Sequence, residues 1–251
     1  MKVFIINLER SLERKERMQE QIQKLFEKNP SLKDDLEFIF FRAVDAKNGE
    51  HLEFKNHFVW WGSWVFGREL SDGEKACFAS HYKLWQECVR LGETIMVLED
   101  DVEFSAEFLA GGGIEDLLKS PYEYVRLCYL FDKKLYGLDK DYCLSFEKIS
   151  GAQGYVLQTS AAIKFIHNAR YLICPVDDYM DKFYKHKVLN IIKKPLLLKH
   201  NLKLESEISA LGRPSQRTKF YKKISRECFR LFWDIHKMFF AFYMRKSLKI
   251  K

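Results

Sequence analysis

The sequence contains no C-x-x-C pair, although 6 of its 251 residues are cysteines. Because zinc clusters and dithiol redox sites are usually built on such pairs, we predict neither and interpret the cysteines as mostly buried thiols. The sequence also lacks an uninterrupted apolar run of the roughly 20 residues that a membrane-spanning helix requires. Even the aromatic C-terminal segment is interrupted by Arg230, Asp234 and Lys237, so we expect no transmembrane span.

Proline and glycine are scarce, with 5 and 12 residues, and no internal repeat or low-complexity tract is visible. Their scarcity excludes a collagen-like or low-complexity chain. Hydrophobic residues make up 47% of the chain and aromatic residues 15%, enough to bury a substantial core and to exclude dominant disorder.

The segment Met1 to Leu8 is too short for the apolar region of a signal peptide, and no small-residue cleavage site follows it. We therefore expect no secretion, and a reducing cytoplasm suits the unpaired thiols.

The net charge of +7 is concentrated at one end of the chain. From Arg213 onward there are 12 Lys/Arg and 2 Asp/Glu, which leaves 42 − 12 = 30 basic and 35 − 2 = 33 acidic residues before it. The positive tail indicates a surface attracted to phosphates, either of an anionic lipid or of nucleic acid.

The same tail is predicted to be a basic amphipathic helix or a pair of helices, because apolar residues recur in it at three- or four-residue spacing. This apolar stripe comprises Phe220, Ile224, Cys228, Leu231, Ile235, Met238 and Phe242. Three interpretations stay open: the stripe packs on its own domain, lies in the headgroup region of an anionic membrane, or binds a calmodulin-like partner. Nucleic-acid binding is the least favoured.

The pattern of the remaining chain favours an α/β fold. Residues 3–6 and 38–41 are typical of buried strands and flank a helical segment over 9–28, so the chain opens with a β-α-β unit. A second helix is predicted from Ser71, whose capping box includes Glu74, to Leu91, and Gly92 closes it. Further strands are predicted over 124–129, 151–158 and 189–198, the last interrupted by Lys193-Lys194-Pro195. They predict a mixed central sheet within one domain spanning 1–212, followed by the tail 213–251.

Three acidic residues, Glu99, Asp100 and Asp101, follow the apolar strand predicted over 94–98. Ligands of open α/β sheets bind at the carboxyl ends of strands. Carboxylates there repel one another unless a cation lies between them, and Mg²⁺ or Mn²⁺ shared with substrate phosphates is the simplest candidate. A solvated acidic turn is the alternative reading of the triplet alone.

Several motifs together resemble glycosyltransferase family 25, which contains galactosyltransferases of bacterial lipooligosaccharide synthesis. In order and spacing, they are residues 6–10 (INLER), 70–77 (LSDGEKAC), 80–81 (SH), 97–101 (VLEDD), 154–157 (GYVL), 175–178 (PVDD) and 206–208 (SEI). The resemblance implies a single GT-A-like nucleotide-sugar-binding domain. It also implies transfer of galactose from UDP-galactose, with inversion and with Mn²⁺ or Mg²⁺, to a saccharide acceptor of lipooligosaccharide or lipopolysaccharide.

Candidate site residues follow from the resemblance together with their chemistry. A metal held by Glu99 and Asp101, with His200 completing its shell, would neutralise the pyrophosphate of the leaving UDP. The residues assigned to binding the nucleotide sugar are Asn7, Arg10, Glu74, Glu99 and Asp100.

Inverting transfer also needs a base that takes the proton of the acceptor hydroxyl. The candidates are Asp177 and Asp178, predicted to lie in a loop after Pro175, His81 on the second helix, and Glu207. The tail would hold the enzyme on the inner face of the cytoplasmic membrane, where a lipid-linked acceptor resides. A non-catalytic membrane scaffold with the same fold is the main alternative function.

Overall fold

The fold is described from a computed structural model of the chain that covers residues 1–130, 133–200 and 220–249. The predicted domain boundary at 212 and the side chain of Glu207 lie outside these residues, so both stay predictions.

The described residues form ten strands, ten α-helices and one 3-10 helix. The strands are β1 (Lys2–Asn7), β2 (Glu37–Arg42), β3 (Ile95–Glu99), β4 (Val102–Phe104), β5 (Tyr124–Arg126), β6 (Tyr136–Gly137), β7 (Tyr142–Ser145), β8 (Gly154–Leu157), β9 (Asn190–Lys193) and β10 (Leu198–His200). The helices are α1 (Leu12–Lys28), α2 (Leu32–Asp35), the 3-10 helix Glu50–His57, α3 (Gly62–Phe66), α4 (Asp72–Leu91), α5 (Ala106–Leu109), α6 (Ile114–Leu118), α7 (Thr159–Asn168), α8 (Val176–Met180), α9 (Phe183–His186) and α10 (Phe220–Ser247).

The central sheet is mixed and has eight strands in the order β2-β1-β3-β8-β5-β9-β7-β6. Strand β1 lies between β2 and β3 and runs parallel to both. Strand β8 runs antiparallel to both β3 and β5. The beginning of β8 therefore lies beside the end of β3, where Leu98 pairs with Gly154. The predicted α/β class with a mixed central sheet is confirmed.

Two hydrophobic cores cover the two faces of this sheet. Since successive side chains of a strand point to opposite faces, Val3 and Ile5 of β1 belong to one core and Phe4 to the other. The first core includes Met18 and Leu25 of α1, and the second includes Trp85 of α4. The sheet is thus sandwiched between helices.

Helix α4 begins as predicted. The Ser71 hydroxyl accepts from the Glu74 backbone N–H at 3.2 Å, and the Glu74 carboxylate accepts from the Ser71 backbone N–H at 2.8 Å. Gly92 ends the helix in the left-handed conformation, which a glycine adopts without steric cost.

Three predictions need correction. Strand β2 is half-buried because it lies at the edge of the sheet. The segment 189–198 holds two elements: β9 in the central sheet, and the start of β10, which pairs with β4 in a separate two-stranded sheet. Asp177 and Asp178 lie in the first turn of α8 rather than in a loop, because Pro175 occupies the N-cap, where its missing N–H costs nothing.

The tail forms one long helix, α10, from Phe220 to Ser247. Its body-facing side includes Trp233, Phe240 and Met244, which pack against the first core. The predicted apolar stripe is on the outside: Leu231, Met238 and Phe242 of it are exposed by 62%, 59% and 71%. The helix therefore packs on the domain through its other side, and the choice between the three interpretations of the stripe stays a prediction.

Among the described residues, no helix combines the length and the apolarity that crossing a membrane demands.

Replacing Ser71 by alanine removes the side-chain cap of α4 and should lower the free energy of unfolding by about 1 kcal/mol. A urea unfolding curve measures the difference. Ser11→Ala is the matched control, because Ser11 is also an N-cap residue but its hydroxyl makes no capping hydrogen bond. Equal effects of the two substitutions would contradict the assigned role of the capping box.

Candidate functional site

A cleft opens at the carboxyl ends of β1, β2 and β3, opposite the first turns of α4. Its volume is about 120 Å³. Its walls come from the residues after β1, the segment 43–46 after β2, α4 and the acidic turn 99–101. The Ser80 hydroxyl joins two of these walls by accepting from the Val44 N–H at 2.9 Å. The acidic triplet thus lies at the sheet edge where ligands of α/β folds bind.

Asp100 ties this turn to the first β-α unit. Its two carboxylate oxygens accept from the Asn7 amide at 2.7 Å and from the Arg14 guanidinium at 3.0 Å, and its carbonyl accepts from Arg17 at 2.7 Å. Burial raises the pKa of Asp100, and the Asn7 and Arg14 bonds hold part of that rise back. Asn7 and Asp100, both predicted to bind the nucleotide, are therefore bound to each other beneath the cleft.

Glu99 is oriented by a chain of hydrogen bonds that begins in the second core. The Trp85 indole donates to the Tyr155 hydroxyl at 3.0 Å, which lies 2.9 Å from Nδ1 of His81, and Nε2 of His81 lies 3.3 Å from Glu99. Because an indole can only donate, the Tyr155 oxygen accepts from Trp85, and the tautomer in which every group of the chain has a partner is the one where Tyr155 donates to Nδ1. The His81 proton is then on Nε2 and is donated to Glu99.

His81 is fully buried, and this burial lowers its pKa to about 3. It is therefore neutral at physiological pH, and the chain of donors fixes its tautomer. In this state neither ring nitrogen has a free lone pair, so His81 cannot accept a proton from a substrate. The geometry accordingly gives His81 a part in positioning Glu99.

Cys77, His81 and Glu99 place potential metal-ligating atoms within 4.8 Å of one another, the one such trio within the described residues. Burial, followed by the charges of Glu99 and Asp177, raises the pKa of the Cys77 thiol, which disfavours the thiolate that a soft metal requires. Hard cations need only one or two carboxylates plus substrate phosphates. Glu99 and Asp101 both line the cleft, so these residues fit Mn²⁺ or Mg²⁺ better than zinc.

The third predicted metal ligand, His200, is in β10. Its backbone pairs in register with Val102, the residue after Asp101. The backbone of β10 therefore runs beside the acidic turn, and the role of His200 stays a prediction.

Glu74 and Arg10 have partners of their own at the rim. Arg68 donates two hydrogen bonds to Glu74, at 2.7 and 2.6 Å. Burial raises the pKa of Glu74, but Arg68 and Ser71 outweigh it and hold the pKa below its usual value. Arg10 pairs with Asp45. Glu74 thus has a structural role, and Arg10 lines the cleft with its charge balanced by Asp45.

Asp177 and Asp178 approach the site from α8. Asp177 is close enough to Cys77 and His81 to contribute to the pKa shifts of both. Asp178 pairs with Lys148, and burial together with the charge of Asp177 raises its pKa. A carboxylate with a raised pKa is a better proton acceptor.

Sequence reasoning missed several residues that build the site. Arg14 and Arg17 are not among the predicted site residues, but both donate hydrogen bonds to Asp100. Their three-residue spacing was a usable signal because it places them on one side of α1. Nothing in the sequence links Tyr155 to His81, which lies 74 residues away.

A comparison with known families agrees with this architecture. The family described as "Glycosyltransferase family 25 (LPS biosynthesis protein)" matches residues 1–180, which include every wall of the cleft. The chain belongs to this family. The predicted family is thereby confirmed.

The family relatives differ in what their names state. The chain is 31% identical over 195 residues to a mimivirus procollagen lysyl hydroxylase and glycosyltransferase, covering 71% of this chain and 21% of that protein. It is 36% identical over 107 residues to a zebrafish procollagen galactosyltransferase 1, covering 42% and 17%. A human relative named inactive glycosyltransferase 25 family member 3 is 35% identical over 125 residues, covering 47% and 19%. The chain therefore spans a small part of these relatives' lengths.

Tyr155→Phe should destabilise the fold by about 1–3 kcal/mol, because it leaves the buried Trp85 and His81 nitrogens without their common partner. Tyr124→Phe is a matched control, because it removes the hydroxyl of another buried tyrosine, one that contacts neither Trp85 nor His81 through a hydrogen bond. Urea unfolding of both variants provides the comparison. A Tyr155→Phe variant as stable as Tyr124→Phe would refute the hydrogen-bond chain.

Proposed function

We propose that the chain is a metal-dependent glycosyltransferase that transfers galactose from UDP-galactose, with inversion, through a GT-A-like domain. The observation that carries this proposal is the cleft at the carboxyl ends of β1–β3, into which Glu99 and Asp101 of a buried strand end project. Membership of glycosyltransferase family 25, with relatives named procollagen galactosyltransferases, supports both the reaction and the sugar.

In this proposal, Glu99 and Asp101 would hold Mn²⁺ or Mg²⁺, which would supply positive charge for the pyrophosphate of the leaving UDP. The other residues act around it. Asn7, Arg14 and Arg17 hold Asp100 and so fix the turn. His81 lies 3.3 Å from the Glu99 carboxylate and orients it.

Asp178 is our candidate for the base that accepts the proton of the acceptor hydroxyl, with Asp177 as its neighbour and alternative. Its pKa is raised, which strengthens its basicity, and Lys148 holds its carboxylate in place. His81 is less suited because its proton is directed at Glu99.

A non-catalytic role is the second candidate, because some relatives are named inactive. The acidic triplet and the oriented His81 favour catalysis here. We propose a saccharide of lipooligosaccharide or lipopolysaccharide as acceptor, on the strength of the family description.

Asp101→Asn should abolish, or weaken by at least about tenfold, the Mn²⁺-dependent binding of UDP, because it removes a charge next to the metal. Calorimetric titration with UDP, with and without Mn²⁺, measures this loss. Glu103→Gln is the matched control, since Glu103 is an exposed acid two residues further along the chain. Absence of UDP binding by the unaltered chain would refute the proposed donor.

The exposed side of α10 supports a location on the inner face of the cytoplasmic membrane. Six residues of the stripe are exposed by 45–76%: Phe220, Ile224, Leu231, Ile235, Met238 and Phe242. The helix also carries seven Lys/Arg and two Asp/Glu, a charge that complements an anionic surface.

Leu231→Asp combined with Met238→Asp should reduce binding to phosphatidylglycerol vesicles by about tenfold or more, since both apolar insertion and charge attraction are lost. Vesicle flotation measures the bound fraction. The control pair is Leu52→Asp with Ile163→Asp, which adds the same charge at sites exposed by 59% and 52% outside α10. Unchanged flotation of the α10 variant would exclude this surface as the membrane contact.

A further inference from the structure

Three of the five tryptophans of the chain are exposed together around α3. Trp60 is exposed by 82%, and Trp61 and Trp64 by 39% each. The opposite side of α3 is tightly packed, because Gly62 is buried and a Cβ at this position would lie 3.3 Å from the Ile173 side chain. The packing of that side leaves the three indoles facing outward.

Two exposed tyrosines from other elements extend this surface. The Tyr171 ring, which follows α7, lies 6.4 Å from the Trp61 ring, and the Tyr221 ring of α10 lies 5.2 Å from the Trp64 ring, both measured between centroids. Tyr221 is three residues before Ile224 of the exposed stripe, so these two side chains are neighbours on α10. We call the three tryptophans and two tyrosines the aromatic cluster. Contiguous exposed apolar surface of this kind marks an interaction site.

Unpaired positive charge surrounds the aromatic cluster. The stretches that carry it, 54–64, 167–173 and 220–224, contain no Asp or Glu. Their Lys and Arg side chains have no carboxylate within 4.0 Å among the described residues; they are Lys55, Arg170, Lys222 and Lys223. Lys222 donates to the Ser63 hydroxyl at 2.9 Å, which orders its ammonium group without neutralising the charge.

The acids that flank these stretches bind other cations. Glu53 lies 4.0 Å from Lys83, and Glu227 pairs with Arg226 and Arg230. Exposed indoles beside unpaired cations match the headgroup region of an anionic bilayer, where Trp and Tyr rings lie at headgroup level and Lys and Arg meet lipid phosphates. A neutral saccharide would use the rings but offer the cations no counter-charge. The membrane is the partner that uses both features.

The aromatic cluster is joined to the rim of the cleft. Arg68, two residues after α3, donates to Glu74 in the first turn of α4. Ile173, on which α3 packs, is two residues before Pro175, the N-cap of the helix that carries the candidate base Asp178. A bilayer in contact with the cluster would therefore lie close to the rim, where a lipid-linked acceptor has a short path to the site.

We propose that the aromatic cluster is a second membrane-contact surface, which places its indoles in the headgroup region of an anionic bilayer and continues the outer side of α10. The inference rests on the membrane location proposed for the chain. A single helix on a bilayer is free to roll about its axis, whereas a second contact removes this freedom. The two contacts together would fix how the cleft is oriented toward the bilayer.

The test is quenching of tryptophan fluorescence by brominated phospholipid in vesicles of phosphatidylglycerol and phosphatidylcholine. The unaltered chain should be quenched, and Trp60→Phe combined with Trp61→Phe and Trp64→Phe should remove most of the quenching. The substitutions keep an aromatic ring at each position, and of the two indoles that remain, Trp85 is fully buried and Trp233 packs against both cores. Absence of quenching in the unaltered chain, or equal quenching of the variant, overturns the proposal.

Vesicle flotation of Trp60→Ala with Trp64→Ala measures the strength of the contact, and binding should fall by about tenfold or more. Leu12→Ala with Leu118→Ala is the control, because these side chains are exposed by 63% and 37% on α1 and α6. Equal losses in the two pairs overturn the proposal. Equally tight binding of the unaltered chain to vesicles of phosphatidylcholine alone overturns the anionic assignment.

The same samples test two other occupants of the surface. A dimer that dissociates in the Trp60→Ala, Trp64→Ala variant without vesicles, or an emission shift with lactose that this variant loses, overturns the proposal. Calorimetric titration with UDP and flotation of Leu231→Asp with Met238→Asp separate the hypotheses. A chain that binds UDP and floats through α10 alone keeps the proposed function and loses this inference.

Discussion

The buried carboxylate of Asp100 is the constraint on which the site depends. It joins the end of β3 to the end of β1 through Asn7 and to α1 through Arg14, with Arg17 on its carbonyl. A buried charge is costly unless it is paired and hydrogen-bonded, and here each oxygen is matched. Contacts from β1 and α1 consequently hold the turn that carries Glu99 and Asp101 in place.

The local part of this arrangement was predictable from sequence. The strand before Glu99 and the capping box of α4 were predicted because each signal lies within a few residues, and the family was predicted because its motifs are short runs in a fixed order. Long-range contacts were not. His81, Tyr155 and Trp85 are joined across two elements, and periodicity gives no information about which buried polar groups meet.

The tail shows a second limit of pattern reasoning. The apolar stripe was identified correctly, but periodicity indicates which residues share a side and not what that side contacts. Helix α10 has apolar residues on both sides: Trp233 and Phe240 pack inward, whereas Leu231 and Met238 face out. The Asp177 and Asp178 helix was missed for a related reason, since Pro175 was interpreted as loop chemistry although it also suits a helix start.

The antiparallel direction of β8 has a consequence for how such a protein can change. Because β8 starts where β3 ends, the segment before it contributes to the same sheet edge as the turns after β1, β2 and β3. The turns that follow β1, β2 and β3 and the segment that precedes β8 meet at this edge, but they belong to separate stretches of the sequence. Substitutions over 148–153 can therefore reshape one side of the edge while the β-α unit that holds Asp100 is inherited intact.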